Sequence, residues 1–265
     1  MAAGKRWTRG ELFIALNLYH KLTFGLFHSR QPVVMAFAEK LGRSPDSMAM
    51  KLCNLASLDP ALKLRGIKGL KGASKLDQRT WNEFHADLNE SVPESEESVR
   101  MLFDAERGDE LVILPKQIVI HRQRVPSGPT ETLATVKQRR SQDYFRNAVL
   151  NNGGGACALT GLAVRKLLVA SHILPWSSHP EHRLNVRNGI SLSRLHDAAF
   201  DQGLITFDDE FRMVLSPLLK KELPQRTVAE NFGAYSGESL NFPKDAALPE
   251  LEFLSIHRAK VFKKK

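Results

Sequence analysis

The first 90 residues place apolar and polar positions at the spacing of short helices. Thr8 and Glu11 have the spacing of a capping box, and apolar residues follow at the helical period. A second helix is predicted over Pro32–Leu41. Ser44 then caps a third helix, with Pro45 at the first helical position, where a proline fits well. The pattern therefore predicts a helical N-terminal region.

The second and third helices are joined by a tight turn, as in a helix-turn-helix, although a plain helical bundle has similar spacing. On the third helix, the polar residues Lys51 and Asn54 lie outside the apolar stripe and are candidates for contact with DNA. The glycines of run 62–72, LKLRGIKGLKG, disfavour a helix and allow close approach to a partner. Lys68 and Lys71 in this run are candidates for phosphate binding, and a solvated loop is the alternative.

The pattern changes between residues 91 and 110, where SVPESEESVRMLFDAERGDE holds seven acids and two arginines. This composition favours an acidic linker. Leu111–Val125 is a predicted short strand, and 126–131 (PSGPTE) is a predicted loop. The expected divisions are a helix-turn-helix-like domain over 1–90, a linker with a short strand over 91–130, and a second folded domain over 131–265.

The second domain contains short apolar segments of strand type and one amphipathic helix. These elements are a strand over Lys166–Ile173, a strand over Asn188–Leu192, a helix from Ser193 to about Gln202, and a hairpin over 204–207 and 211–215. The order strand, loop, strand, helix brings His172, Asn188 and His196 close together. The chain as a whole is therefore predicted to be α+β.

These three side chains can carry out one kind of chemistry. A histidine at a strand end, such as His172, can be a general base near neutral pH. His196 on the helix can bind a divalent cation, and Asn188 can hold the loop by hydrogen bonds. A cation with a general base is what phosphodiester hydrolysis requires.

Composition and charge agree with a nucleic-acid partner. The 38 Lys and Arg residues exceed the 29 Asp and Glu residues, which gives a net charge of +9 and favours binding to polyanions. The 42% hydrophobic content excludes a disordered chain. Two cysteines make no disulfide framework, and neither a secretory leader nor a membrane-spanning segment is predicted, so a cytoplasmic protein is expected.

The order His172, Asn188, His196 resembles the HNH, or ββα-metal, nucleases. The similarity is closest to the bacterial restriction-type subclass, whose CxxTG and HxxxFDxG elements correspond here to 157–161 (CALTG) and 196–203 (HDAAFDQG). Further elements agree in order within 126–262; they are GPTE at 128–131, RRSQ at 139–142, FR at 145–146 and LSIHR at 254–258.

The resemblance implies a metal-dependent DNA endonuclease, acting as a restriction enzyme that depends in some cases on modified bases. It makes His172 the general base, Asn188 the residue that orients the loop, and His196 a ligand of Mg²⁺ or Mn²⁺. Asp201 is a weaker candidate ligand. The expected partner is double-stranded DNA, and no association with a membrane is expected. A homodimer is an option, because one HNH site cuts one strand.

One departure from the family pattern concerns Ser171, which stands where many HNH enzymes have an Asp or His ligand. A serine hydroxyl is a poor ligand for Mg²⁺. This departure favours the alternative of a non-catalytic DNA-binding protein with a decayed HNH fold. A nicking or RNA-cutting nuclease on the same scaffold is a further alternative. Arg139, Arg140 and Arg146 are predicted to share one helix and are candidates for phosphate contact.

Overall fold

The computed structural model describes residues 6–106, 109–122 and 133–263, with the backbone alone over 133–137. Contacts divide the chain into two compact units, residues 1–151 and 152–265. The first unit is mainly helical, with one hairpin. Its elements are α1 (Arg9–Lys21), α2 (Pro32–Lys40), α3 (Pro45–Ala56), α4 (Pro60–Leu64), α5 (Lys75–Ala86), α6 (Leu88–Leu102), β1 (Glu110–Leu114), β2 (Gln117–His121) and α7 (Leu133–Asn152).

The three predicted N-terminal helices are confirmed, and local signals set their starts. Thr8 and Glu11 form the capping box of α1. Gln31 caps α2 ahead of Pro32, and the Ser44 hydroxyl accepts a hydrogen bond from the Ser47 N–H at the start of α3. These side chains satisfy backbone N–H groups that the first turn of a helix leaves without an internal partner.

The two α3 residues that were expected to contact DNA lie in the interior of the first unit. Lys51 and Asn54 are 7% and 8% exposed, because that face of α3 packs into the first unit. The Lys51 ammonium donates to both carboxylate oxygens of Asp77, at 2.7 and 2.8 Å. A groove-reading helix needs an exposed polar face, and on α3 the exposed positions are Asp46 and Met50.

The predicted acidic linker is also corrected, because most of it forms α6. Val92 and Val99 are fully buried, which supplies the helix with an apolar face that the acidic composition had masked. The acids have nearby cations: Glu96 contacts Lys21, and Arg9 contacts Glu94 at 2.6 Å. Charge pairing with α1 therefore stabilises a segment whose composition alone indicates a solvated chain.

The predicted strand over Leu111–Val125 is two strands rather than one. β1 and β2 pair antiparallel, with Leu114 opposite Gln117 across the turn. Alternate β1 residues are buried, Leu111 and Ile113 among them. The end of that predicted strand and the predicted loop over 126–131 lie outside the described residues.

The second unit contains the predicted strand, loop, strand, helix pattern. Its elements are β3 (Leu168–His172), β4 (Gly189–Ser193), α8 (Arg194–Asp201), β5 (Ile205–Phe207), β6 (Met213–Leu215), α9 (Pro217–Lys221), α10 (Arg226–Asn231) and α11 (Leu251–Lys260). β3 pairs antiparallel with β4, α8 packs on both, and β5 pairs with β6. These predictions are confirmed, and the fold is α+β. In the described part of the chain, every helix is too short or too polar to cross a bilayer.

Candidate active site

The ββα framework sets the position of the predicted catalytic side chains. In the β3–β4 register, His172 lies opposite Gly189, directly after Asn188. β4 then continues without a loop into α8, because Ser193 ends the strand and caps the helix. The structure therefore brings His172 and Asn188 to the same end of the strand pair, as expected.

His172 has one ring nitrogen fixed by the backbone. Its Nε2–H donates to the Arg183 carbonyl oxygen at 2.9 Å, since a carbonyl can only accept. In the neutral ring, Nδ1 is then the nitrogen that can accept a proton. Burial is the main influence on the group and lowers the pKa of His172 below its usual value, which keeps the imidazole neutral at physiological pH. A neutral imidazole of defined tautomer is suited to general-base catalysis.

Asn188 holds the loop between the two strands. Its side chain is fully buried, and Oδ1 accepts from the Leu174 N–H at 2.8 Å. The Nδ2 group donates to the Leu174 and His182 carbonyls at 3.3 and 3.1 Å. These bonds fix the chain on both sides of the loop, close to the Arg183 carbonyl that orients His172.

Arg183 is a residue that sequence reasoning missed. Its backbone oxygen orients His172, while its guanidinium donates to the Trp176 carbonyl at 2.6 Å and lies over the Trp176 ring at 5.2 Å. No sequence signal could have identified the first role, because any residue supplies a backbone carbonyl.

The structure does not support the expected role of His196 as a metal ligand. The ring is 2% exposed, and its Nε2–H donates to the Asn231 carbonyl at 2.8 Å. Nδ1 accepts from the Ser193 hydroxyl at 2.8 Å, so both nitrogens have partners. Phe232 and Tyr235 pack on the ring at 5.2 and 5.8 Å. The reason lies in the tertiary structure, because the segment after α10 covers the ring.

A different group of oxygen atoms lies on α8 and β3. Asp197 and Asp201 are one turn apart on α8, and desolvation together with Asp197 raises the pKa of the exposed Asp201 to about 6. Burial raises the pKa of Asp197, and the nearby Ser171 hydroxyl opposes this effect. Ser171 is 1% exposed, so its hydroxyl lies in the interior beside Asp197.

Carboxylate oxygens are the ligands that a hard divalent cation prefers. Mg²⁺ binds through one or two carboxylates and keeps several waters and substrate oxygens. The carboxylates of Asp197 and Asp201, one turn apart on α8, are oxygen donors of this kind. Among the residues that the structure describes, no three His, Cys, Asp or Glu side chains form a complete cation cage. The protein alone therefore supplies only part of a coordination shell.

The predicted DNA-contact residues fall into separate environments. Lys68 and Lys71 are exposed, whereas Lys51 and Asn54 are buried. Arg139 is exposed and Arg146 half-buried on α7, where Arg140 contacts Glu97 at 2.5 Å. Lys68 and Lys71 are therefore better placed than the α3 residues to meet a phosphate backbone.

The comparison with protein families agrees with the geometry. Residues 157–208 match the HNH endonuclease family model. The match includes β3, β4 and α8, and with them His172, Asn188 and His196. The comparison with curated proteins finds no matching relative. An HNH endonuclease domain in the C-terminal half indicates nuclease activity on nucleic acid.

Proposed function

We propose that the protein is a divalent-metal-dependent DNA endonuclease in which His172 is the general base. The observation that carries this proposal is the His172 Nε2–H bond to the Arg183 carbonyl, within the segment that matches the HNH family. It leaves Nδ1 as the basic nitrogen of a neutral ring at the end of β3.

The reaction requires few protein groups. A water molecule attacks the phosphorus of a phosphodiester and gives one proton to His172 Nδ1, while the bond from phosphorus to the leaving sugar oxygen breaks and that oxygen takes a proton from solvent water. Asn188 and Arg183 keep the imidazole and its loop in place. Asp197 and Asp201 would hold the cation, which when bound would supply positive charge to offset the charge that builds on the phosphate.

The test is incubation of supercoiled plasmid with the full chain in Mg²⁺, in Mn²⁺ and in EDTA. We expect cleavage with either cation and none in EDTA. Equal cleavage in EDTA would contradict the metal dependence. Single-stranded RNA and the ratio of nicked to linear plasmid separate DNA cutting, RNA cutting and nicking. Linear product that rises with the square of protein concentration would support a homodimer on DNA.

A non-catalytic DNA-binding protein is the second candidate, and two observations favour it. Both nitrogens of His196 have partners, and Ser171 replaces a family ligand. This candidate predicts DNA binding without product in any cation.

A restriction role is the finer part of the proposal. The resemblance of CALTG at 157–161 and HDAAFDQG at 196–203 to the restriction-type subclass supports it. Digestion of genomic DNAs that differ in base modification, followed by sequencing of the ends, tests it. Cuts at one sequence, or only next to one modified base, are the expected result. Random ends on every DNA would contradict a restriction role.

A further inference from the structure

We propose that residues 60–75, here called the basic segment, are a docking surface for duplex DNA on which lysines contact phosphates and Leu64 contacts the groove. The basic segment consists of α4 and the loop that leads to α5. This inference rests on the proposed function in its choice of DNA as the partner. It replaces α3, whose polar face is buried, as the surface of the first unit that meets the duplex.

The basic segment carries a concentration of exposed positive charge. Its exposed lysines are Lys63, Lys68, Lys71 and Lys75. No acidic residue occurs between Asp59 and Asp77, and both of these flanking carboxylates already have partners. Asp59 accepts from the Tyr19 hydroxyl at 2.7 Å, and Asp77 accepts from Lys51 at 2.7 Å. Exposed cations of this kind bind a phosphate backbone with release of counterions.

The end of α4 is fixed by a Schellman motif. The Ile67 N–H donates to the Leu62 carbonyl at 3.0 Å, and the Gly66 N–H donates to the Lys63 carbonyl at 3.0 Å. Gly66 has φ +73°, a conformation that glycine adopts without steric cost. The last turn of α4, which carries Leu64, is therefore held in one orientation.

The following loop is anchored to the end of α3. The Leu70 N–H donates to the Cys53 carbonyl at 3.1 Å. A Cβ atom on Gly69 would lie 2.3 Å from the Ser57 nitrogen and 2.4 Å from the Cys53 oxygen, so only glycine fits there. The lysines on either side thus project from a backbone with a defined path, which lowers the entropy lost on binding.

Exposed leucines distinguish the basic segment from a merely solvated charged loop. Leu64 is 87% exposed, the highest value among the large exposed apolar side chains of the described residues, and Leu70 is 50% exposed. Leucines that flank cations are used by proteins that press an apolar side chain between base steps while lysines hold the phosphates. Duplex DNA offers both surfaces at once, a charged backbone and the apolar faces of the bases between adjacent steps.

The first test concerns charge and uses the full chain in EDTA, so that binding is measured without cleavage. Fluorescence anisotropy with a labelled duplex gives the affinity at several salt concentrations. We expect Lys68→Ala with Lys71→Ala to reduce the slope of log affinity against log salt by about two, one for each lost phosphate contact. The control pair, Arg30→Ala with Lys116→Ala, removes two exposed charges of the same unit outside the basic segment and should keep the slope. Equal slopes for the two pairs would overturn the proposal.

The second test concerns the apolar contact. Leu64→Gln should fold normally, because the side chain is exposed, and should lower duplex affinity about tenfold without change in the salt slope. Met101→Gln, at a side chain 65% exposed at the end of α6, is the matched control and should bind as wild type. Wild-type affinity in Leu64→Gln would overturn the groove contact. Polyglutamate is a polyanion without bases. An equal loss of affinity for polyglutamate in Leu64→Gln would overturn duplex DNA as the partner.

Cleavage in Mg²⁺ distinguishes failure of this inference from failure of the proposed function. Variants of the basic segment that bind and cut as wild type contradict the docking surface and leave the nuclease intact. A wild-type chain that shows the expected salt slopes but never cuts contradicts the nuclease and supports the docking surface.

Discussion

At the scale of single residues, hydrogen-bond geometry separates two histidines that look equivalent in sequence. His172 is half-buried, and its Nε2–H donates to the Arg183 carbonyl, which defines the tautomer of the neutral ring. His196 is buried, with an aromatic ring against it and both nitrogens bonded. The same side chain is therefore suited to proton transfer in one place and to packing in the other.

Substitution of His172 by alanine tests the general base. We expect plasmid cleavage to fall by about 10²–10⁴-fold, because proton transfer from water is lost. His121→Ala, which changes an exposed histidine at the end of β2, is the control and should cut normally. Circular dichroism and duplex binding in EDTA should be unchanged in both variants. More than a tenth of wild-type cleavage in His172→Ala would identify another residue as the base.

A separate prediction concerns cation binding by the carboxylates of α8. Asp197→Asn and Asp201→Asn should each weaken Mn²⁺ binding at least tenfold by calorimetry, because each removes one charged oxygen ligand. Asp245→Asn, in the same unit but far along the chain, should bind Mn²⁺ as wild type. Loss of Mn²⁺ affinity in a folded His196→Ala chain, with wild-type affinity in both asparagine variants, would contradict the two aspartates as the cation ligands.

At the scale of elements, α3 is an internal helix of the first unit. The ion pair of Lys51 with Asp77 joins α3 to α5, and Asp77 also accepts from the Ser74 N–H at the start of α5. One carboxylate therefore neutralises a buried ammonium and caps a helix.

Lys51→Ala should consequently lower the free energy of unfolding. Removal of the ammonium leaves the Asp77 carboxylate buried without its cation, and the cost of breaking such a pair is about 3–5 kcal/mol. Urea unfolding measures the loss, with Lys68→Ala as the control because that exposed side chain should leave stability unchanged. A folded, fully stable Lys51→Ala chain with weakened DNA binding would restore α3 as a recognition helix.

At the scale of the molecule, the first unit contains a pair of half-buried histidines in mutual contact. In the first unit, His20 and His85 lie with Nε2 atoms 3.1 Å apart, within a cluster that includes Trp81 and Phe84. Burial lowers the pKa of both rings below 6.5, and the neighbouring His85 lowers the pKa of His20 further. The hydrogen bond to the Trp81 carbonyl and the charge of Asp59 act in the opposite direction on His85.

This pair predicts a loss of stability on acidification. The unfolded chain binds protons at these histidines from about pH 6.5 downwards, whereas the folded chain binds them only at lower pH, so stability falls as pH falls. Thermal unfolding between pH 7.5 and 5.5 can be followed by circular dichroism of the full chain. His20→Gln should make this pH dependence shallower, and His121→Gln should leave it unchanged. A melting temperature that does not vary over this range would contradict the prediction.

Local signals in the sequence determined the helix starts and the core of the nuclease motif. Thr8, Ser44 and Ser193 cap the helices that follow them, as their spacing predicts, because capping acts over three or four residues. The order of His172 and Asn188 around two strands was also readable, since strand and helix periods are local. The family match over residues 157–208 agrees with that reading.

The tertiary structure decided which polar groups are exposed and which are already bonded. Lys51 pairs with Asp77, Lys21 pairs with Glu96, and His196 donates to the Asn231 carbonyl. The partners are separated by 26, 75 and 35 residues in the chain. A sequence pattern shows that a side chain can bind phosphate or metal. It does not show whether a residue distant in the chain already forms an ion pair or a hydrogen bond with that side chain. The free energy of burying a charge makes such partners necessary, and only the packed fold brings them together.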